Sequence, residues 1–368
     1  GPDWRDADRA MIRLLIYGAN GYTGRLIARE AAQRGLKPLL AGRSRDGIDA
    51  LAKELSLSRR VFELSNPVEI ARNLDGVNVV LHCAGPFSKT AAPMLEASLN
   101  ANVHYLDITG EIAVFEMCHR VHARAQHQGT VVLPGSGFDV VPTDCLAAML
   151  KRRLPDATSL VLAFEAGGGP SPGTAATSVE GMAQGGRARI AGEVRPVPLA
   201  WKSREFLRDG KPRTAMTIPW GDVYTAFVST GIPNIETYMA VPPKTIGRLR
   251  WMRHIQPLLA LRPVQNFMKR RVLAATPGPS EQRRRDSGCH VWGEVRNVAG
   301  KQVGLELETP NGYDLTVTAS LGIAEYLLGR TSPPAGGYFT PSQLMGADYV
   351  LKLPGVRLIE PAKVAVSA

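Results

Sequence analysis

From residue 11 to about residue 150 the chain alternates short, largely apolar runs with longer stretches whose apolar residues recur at helical spacing. The runs at 12–17, 38–41, 60–64, 77–83, 104–108 and 130–133 predict strands, since short continuous apolar segments suit strands buried on both faces. The stretches 24–34, 46–55, 68–74, 89–100 and 111–128 predict the helices between them. Gly35 stands where a left-handed residue would close the first helix. Strands that alternate with crossover helices predict an α/β, doubly wound parallel sheet of the Rossmann type over 11–150. Its ligand is expected at the carboxyl edge.

Past about residue 154 the alternation stops. Strand-like runs recur at 159–165, 214–218, 224–229, 235–241, 291–297 and 302–308, the last two joined by a hairpin turn at Ala299-Gly300. A glycine-rich loop at 167–170 precedes a small-residue helix at 174–183, and Asn311-Gly312 signals another turn. This pattern predicts a second, α+β domain with a mixed or antiparallel sheet over 151–312, for substrate binding or dimerisation. A helix at 315–328 opens a C-terminal part, 313–368, that returns to the Rossmann domain.

The chain has 368 residues, enough for two domains with ample core. Its four cysteines, Cys83, Cys118, Cys145 and Cys289, show no metal-ligand spacing, so no metal site is expected. Cys83, at a strand end, reads as a small buried residue. The absence of any long apolar run argues against a membrane-spanning helix, and a cytoplasmic protein is expected, with a peripheral membrane role left open. Residues 1–10 are polar and read as a tag remnant or leader ahead of a start at Met11.

The formal charge is +11, with the excess concentrated in 248–271 and 283–285. No nucleic-acid motif accompanies it, so nucleic acid is set aside as a partner. Residues 246–273 mix Trp251, Ile255, Leu258, Leu259, Phe267 and Met268 with arginines, and Pro257 and Pro263 forbid one continuous helix. Such a basic amphipathic element suits an anionic lipid surface or an acidic carrier protein. The plainer reading is two ordinary helices packed on the sheet with a solvated basic face, and Arg283–Arg285 as a solvated loop.

Chemistry gathers at the predicted strand ends. Gly18-Ala19-Asn20-Gly21-Tyr22-Thr23-Gly24 follows the first strand and opens the first helix, the context in which a glycine pattern cradles a pyrophosphate. The second strand ends in Ala41-Gly42-Arg43-Ser44. Arg43 takes the place where an NAD-specific site carries an acid, and a guanidinium grips a 2′-phosphate instead, so NADP(H) is the expected cofactor. Ala84-Gly85-Pro86-Phe87 ends the fourth strand with small residues that let a cofactor pass close to the backbone. Tyr105-Leu106-Asp107-Ile108-Thr109-Gly110-Glu111 and Gly135-Ser136-Gly137-Phe138-Asp139 close the fifth and sixth strands. Thr109 and Gly110 join the expected cofactor contacts, and Asp107, Glu111 and Asp139 are candidate catalytic carboxyls. Helix capping by Asp139, Thr143 or Glu111 is the competing reading.

In this order the motifs resemble the saccharopine dehydrogenase-like oxidoreductases, and especially their trans-acting enoyl reductase branch. Pro219-Trp220-Gly221-Asp222, Ser229–Glu236 and Trp292-Gly293-Glu294 extend the likeness almost to the C-terminus. The resemblance implies an NADP-binding Rossmann domain with an inserted substrate domain, and Gly18, Gly21, Tyr22, Thr23, Gly24, Arg43, Ala84, Gly85 and Pro86 as cofactor contacts. It implies hydride transfer from NADPH either to the conjugated C=C of an acyl substrate, fatty or polyketide-like and free or carrier-bound, or to a C=N. It supplies no defined catalytic acid.

For enoyl reduction, Thr109, Tyr224 or a protonated carboxyl among Asp107, Glu111 and Asp139 can stabilise the developing enolate or supply the proton. The alternatives are saccharopine-type C=N chemistry on an amino acid adduct, and an NADP-binding redox sensor without turnover. None of the nine tyrosines has a lysine four positions on, which sets short-chain dehydrogenase chemistry aside. A homodimer is a further expectation.

Overall fold

Leu14, Leu15, Ile16 and Tyr17 are all buried, as a strand covered on both faces requires, and they form β1 (Leu14–Tyr17). The computed structural model describes residues 13–167, 172–275, 277–330, 332 and 334–361, with backbone alone for 172–177. The expected leader 1–10, residues 11 and 12, positions 168–170 of the glycine-rich loop and residues 362–368 of the tail lie outside the described residues.

The alternation read from the sequence then unfolds nearly as expected. It runs α1 (Tyr22–Gln33), β2 (Leu39–Gly42), α2 (Arg45–Leu55), β3 (Arg59–Val61), α3 (Pro67–Asn73), β4 (Val79–His82), α4 (Phe87–Asn100) and β5 (His104–Asp107). After these come α5 (Ile112–Arg120), α6 (His122–Gln128) and β6 (Val131–Leu133). The one helix expected over 111–128 is two, because Val121 leaves helical geometry at ψ 8° between them. Caps are local: the Ser44 hydroxyl accepts from the Gly47 amide at 3.3 Å, and the Asn66 side chain from the Val68 amide at 3.0 Å.

These strands pair in parallel in the order β3-β2-β1-β4-β5-β6, closed by a seventh strand from far along the chain, β15 (Gly337–Tyr338). The order reverses between β1 and β4, whose carboxyl ends carry the two glycine-rich loops side by side. β15 was not foreseen, since two residues carry no readable period. It joins at Gly337↔Val131, and Gly336 beside it fits only because it has no side chain: a Cβ there would lie 2.2 Å from the Ala125 carbonyl oxygen.

The second sheet is mixed. Its elements are β7 (Ser159–Glu165), α8 (Pro172–Gln184), β8 (Gly186–Ile190), β9 (Glu193–Val197), β10 (Ser203–Arg208), β11 (Lys211–Thr217) and β12 (Asn234–Ala240), with β13 (Cys289–Arg296), β14 (Gln302–Thr309) and β16 (Arg357–Ile359). The main path is β10-β11-β12-β7-β13-β14-β16, with β8 and β9 joined through β12. Only β12–β7 is a parallel pair along that path. The hairpin between β13 and β14 turns at Gly300, φ +84°, as the sequence predicts. On one face, α7 (Val141–Arg153) lies so close that a Cβ on Gly293 would sit 2.6 Å from a Leu150 methyl.

Two expectations in this part are corrected. Residues 224–229 form no strand but most of α9 (Asp222–Thr230). Their β-branched composition favours a strand, yet the buried set Asp222, Val223, Thr225, Ala226 and Thr230 has helical spacing, and left-handed Gly231 ends the helix. Arg283–Arg285 is no loop but the last turn of α13 (Glu281–Arg285), started by the Ser280 hydroxyl accepting from the Arg283 amide. The proline-broken region forms α10 (Pro243–Met252), a 3₁₀ turn, α11 (Gln256–Leu259) and α12 (Arg262–Ala275). The polar strands β8, β9, β10 and β16 were also not foreseen. The chain ends through α14 (Gly312–Leu328), β15, α15 (Pro341–Met345) and a 3₁₀ turn at Tyr349–Lys352 before β16.

Two units result: residues 1–139 with 313–344, and 140–312 with 345–368. The sequence reading drew its border at 150. α7 instead belongs with the second sheet, because Leu146 and Leu150 pack on β13.

Replacing Gly336 by alanine is expected to destabilise the first unit by about 3 kcal/mol, the upper end of typical overpacking costs. A correspondingly lower thermal midpoint, with NADPH binding lost in parallel, is the readout.

Candidate cofactor and catalytic site

The first loop is built by a close crossing of backbone. After β1 the chain turns at Gly18, φ +76°, and the Gly18 and Ala19 amides both donate to the Ala41 carbonyl, at 2.8 and 3.1 Å. The Gly21 amide returns to the Gly18 carbonyl at 3.0 Å. A Cβ on Gly24 would stand 2.1 Å from that same carbonyl oxygen, and one on Gly18 2.9 Å from the Ala84 amide nitrogen. The glycines are therefore required by the crossing, which brings α1 against the loop and the loop against the 84–87 turn. α1 starts at Gly21 with no side-chain cap and no acidic residue in its first turn. Its amide dipoles point outward at an anion-ready end.

The second strand end adds charge. Arg43 follows β2, is exposed, and has no hydrogen-bond or ion-pair partner among the described residues. Beside it the Ser44 hydroxyl accepts from Gly47 as the cap of α2 and keeps its own proton free to donate. Asn20 ties the two loops together: its amide packs where Cβ atoms on Gly42 or Gly47 would come within 3.0 and 2.6 Å. An uncapped helix start, glycines at the crossing and an unpaired guanidinium at the second strand end fit a dinucleotide with a 2′-phosphate. Tyr22 is half-buried edge-on to Tyr313, ring centroids 5.1 Å apart, and Thr23 lies half-buried in the same first turn.

At the 84–87 turn Gly85 is exposed, and Ala84, Pro86 and Phe87 are half-buried. A buried relay that sequence reasoning missed holds it. The Thr90 hydroxyl donates to the Ala84 carbonyl at 2.6 Å and lies 3.0 Å from His82 Nε2. Burial holds the His82 imidazolium down to about 3, so the ring is neutral. Nothing marks His82 in the sequence except its place at the end of a strand. The Cys83 thiol is pushed well up by burial, which suits the structural reading made of it.

The three candidate carboxyls of the fifth and sixth strand ends have different surroundings. Asp107 is fully buried and engaged: it accepts from the Tyr105 hydroxyl at 2.6 Å and from the Thr109 and Gly135 amides at 3.0 and 2.9 Å. It thereby ties β5 to β6, and burial raises it to about 6 against these donors. Glu111 receives the Phe87 and Ser88 amides at 3.0 and 3.2 Å, so it caps α4 from across the sheet edge. Its own amide donates to the buried Thr109 hydroxyl.

Asp139 differs from both. Its carboxyl has no hydrogen-bond partner among the described residues, and it does not cap α7, whose cap Val140 supplies none. Burial, and then the neighbouring Glu111 carboxylate, raise its carboxyl to about 7. Room for it exists because residue 110 is glycine: a Cβ there would lie 2.6 Å from an Asp139 oxygen. The Thr316 hydroxyl accepts from the Phe138 amide at 2.9 Å and fixes the segment just before it. Thr143 caps nothing either; it donates to Asp222 at 2.6 Å within the second unit.

The structure thus brings Gly18, Asn20, Gly21, Tyr22, Thr23, Gly24, Arg43, Ser44, Ala84, Gly85, Pro86, Phe87, Asp107, Thr109, Gly110, Glu111 and Asp139 into one unit at one sheet edge. Tyr224 belongs to the other unit, on α9, where the Arg189 guanidinium lies 5.8 Å from its ring. Among the described residues no cluster of His, Cys, Asp or Glu suits a metal ion, and no helix is long and apolar enough to cross a membrane.

Two outcomes follow. Arg43→Ala is expected to weaken NADPH binding about 10- to 100-fold, the worth of a charge-assisted hydrogen bond, and to leave NADH binding unchanged; calorimetry with each coenzyme reads the difference. Thr90→Val keeps the shape but strands the Ala84 carbonyl and the His82 N–H, at a cost of about 1–3 kcal/mol in stability. Denaturant titration checks it, together with a raised KM for NADPH.

Residues 14–133 match the model of the saccharopine dehydrogenase NADP-binding domain. A saccharopine dehydrogenase-like oxidoreductase of Bos taurus is 25% identical over 173 residues, 41% of this chain and 40% of the relative. A trans-acting enoyl reductase of Mycobacterium ulcerans (strain Agy99) is 30% identical over 189 residues, 46% of this chain and 44% of the relative. Each match therefore spans less than half of that relative's length. Among solved structures, the saccharopine dehydrogenase (L-Glu forming) of Saccharomyces cerevisiae superposes with TM-score 0.63 over 95% of this chain and all of that one, at 10% identity, a likeness of fold. Residues 14–133 therefore form an NADP-binding domain of the saccharopine dehydrogenase type.

Proposed function

We propose that the chain is an NADPH-dependent reductase of the conjugated C=C of an acyl substrate, with Asp139 as its proton donor. The observation that carries this reading is the state of Asp139. It is the carboxyl of the site that no hydrogen bond occupies, and it is held protonated up to about pH 7. A double-bond reduction needs one hydride and one proton, and the proton must come from an acid matched to the working pH. When bound, NADPH supplies the hydride, to the β carbon. Asp139 gives its proton to the α carbon, and the conjugated C=C becomes a single bond.

The other residues position and tune. Gly18, Gly21 and Gly24 let the pyrophosphate approach the start of α1, and Arg43 selects the phosphorylated ribose. Glu111 takes up the start of α4 and, by its charge, adds to burial in keeping Asp139 protonated. Gly110 leaves the space in which the Asp139 carboxyl lies. Carbon–carbon reduction is chosen over C=N because the matching relative at 30% identity is named a trans-acting enoyl reductase.

NADPH oxidation is expected with an α,β-unsaturated acyl thioester and absent with imines formed from amino acids and aldehydes. Turnover of imines alone would establish the C=N reading in its place. Tight NADPH binding with turnover of neither substrate would leave a binding protein. Asp139→Asn is expected to lower kcat/KM by roughly 10²–10⁴-fold, the usual worth of general acid catalysis, and to remove the fall in rate as pH rises through about 7.

The stability of the same variant gives an independent check. Because the folded-state carboxyl is raised above its ordinary value of 3.8, the wild type loses stability as pH climbs from about 4 through about 7. The asparagine variant does not share that loss, so its thermal midpoint at pH 8 should exceed the wild type's.

A further inference from the structure

The stretch 243–280 contains Lys244, Arg248, Arg250, Arg253, Arg262, Lys269, Arg270 and Arg271 and no aspartate or glutamate. In the structure it carries a concentration of exposed apolar side chains: Trp251 at 64%, Phe267 at 59%, Leu258 at 55%, Leu261 at 51% and Leu273 at 47% of full exposure. They fall on α10, on α11, on α12 and on the short link between the last two. α10 and α11 each bury one apolar residue, Ile246 and Leu259. α12 buries no residue completely, and Phe267 points away from the side that Gln265 and Lys269 turn to α8.

The basic residues divide by task. Arg250 donates to the Ala200 carbonyl, Arg253 to the Leu199 and Ala200 carbonyls, and Lys269 pairs with Glu180; these pin the segment to its own unit. Lys244, Arg248, Arg262, Arg270 and Arg271 have no hydrogen-bond or ion-pair partner among the described residues. On α12, Arg270 and Arg271 flank Phe267 three and four positions on, and the Arg271 guanidinium lies 5.8 Å from the Phe267 ring.

We propose that α10–α12 is a membrane-docking element that binds the surface of an anionic bilayer, with Trp251, Leu258, Leu261 and Phe267 entering the headgroup–acyl boundary and the unpaired basic side chains meeting lipid phosphates. Aromatic and aliphatic side chains standing in water at half or more of their area, among uncompensated cations, are what an interfacial helix needs. Each such cation near an anionic leaflet adds attraction that is screened by salt. A folded acidic protein would satisfy the cations but leaves five scattered, protruding apolar groups without an apolar counterpart, which favours the bilayer. None of this depends on the reductase reading.

The test is flotation of the full chain with vesicles of phosphatidylcholine alone and with one quarter phosphatidylglycerol. Binding at least tenfold stronger to the anionic vesicles at low salt, and a loss in 0.5 M salt of roughly that same size, is expected from screening. Trp251→Ala with Phe267→Ala should reduce anionic-vesicle binding about tenfold, and Arg270→Glu with Arg271→Glu should reduce it further. Unchanged far-UV circular dichroism and thermal midpoint of both double variants show that they remain folded. Equal binding to neutral and anionic vesicles, no binding to either, binding that the aromatic pair does not affect, or stronger retention on soluble polyglutamate than on vesicles would each overturn the proposal.

Discussion

The first unit depends on one approach of backbone to backbone, that of Gly24 to the Gly18 carbonyl. No side chain fits there, since a Cβ would lie 2.1 Å from the oxygen. That crossing sets how α1 leaves the sheet, and hence where its uncapped amides point. The same turn gives both its amides to Ala41, so the first loop is registered against the second strand end, where Arg43 stands. It also leaves Gly18 pressed against Ala84, which the Thr90 relay holds from the opposite side. A cofactor bound along this edge meets a surface fixed by hydrogen bonds before it arrives, which is the arrangement that lowers the entropic cost of binding.

The carboxyls at the neighbouring strand ends show how the same residue type is turned to different work by its surroundings. Asp107 is consumed by donors and joins two strands; Glu111 is consumed by a helix start. Asp139 alone of the three keeps an open carboxyl, and burial, with Glu111 nearby, makes its ionised form costly. Burial and one carboxyl that serves structure, Glu111, therefore raise the third. A half-buried carboxyl without a hydrogen bond weakens the fold above pH 7, a cost usually found where function requires it.

The second unit divides its surface differently. Its sheet is framed by ion pairs such as Arg204–Glu294 and Lys202–Glu236, with Phe206, Tyr238 and Trp292 buried beneath them. The stretch 243–280 has no carboxylate of its own, only Lys269 among its cations pairs with one among the described residues, and apolar side chains remain in solvent. The positive charge of the chain is thus unevenly compensated, and the surplus lies where the apolar exposure also lies.

By itself the sequence determined the parallel sheet, its helices and the cofactor loop. Period, glycine spacing and the place of Arg43 are local properties, and local backbone rules translate them directly. It did not determine α9, where β-branched residues favour a strand and the burial of Val223 and Ala226 makes a helix. Nor did it determine β15, which exists only because Val131 and Val132 await a partner. It placed Asp107, Glu111 and Asp139 at one edge without ranking them, and it gave no sign of His82 and Thr90. Only the tertiary structure decided these matters, because which donors reach a carboxyl, and which side of a helix is covered, depend on residues far apart in the chain.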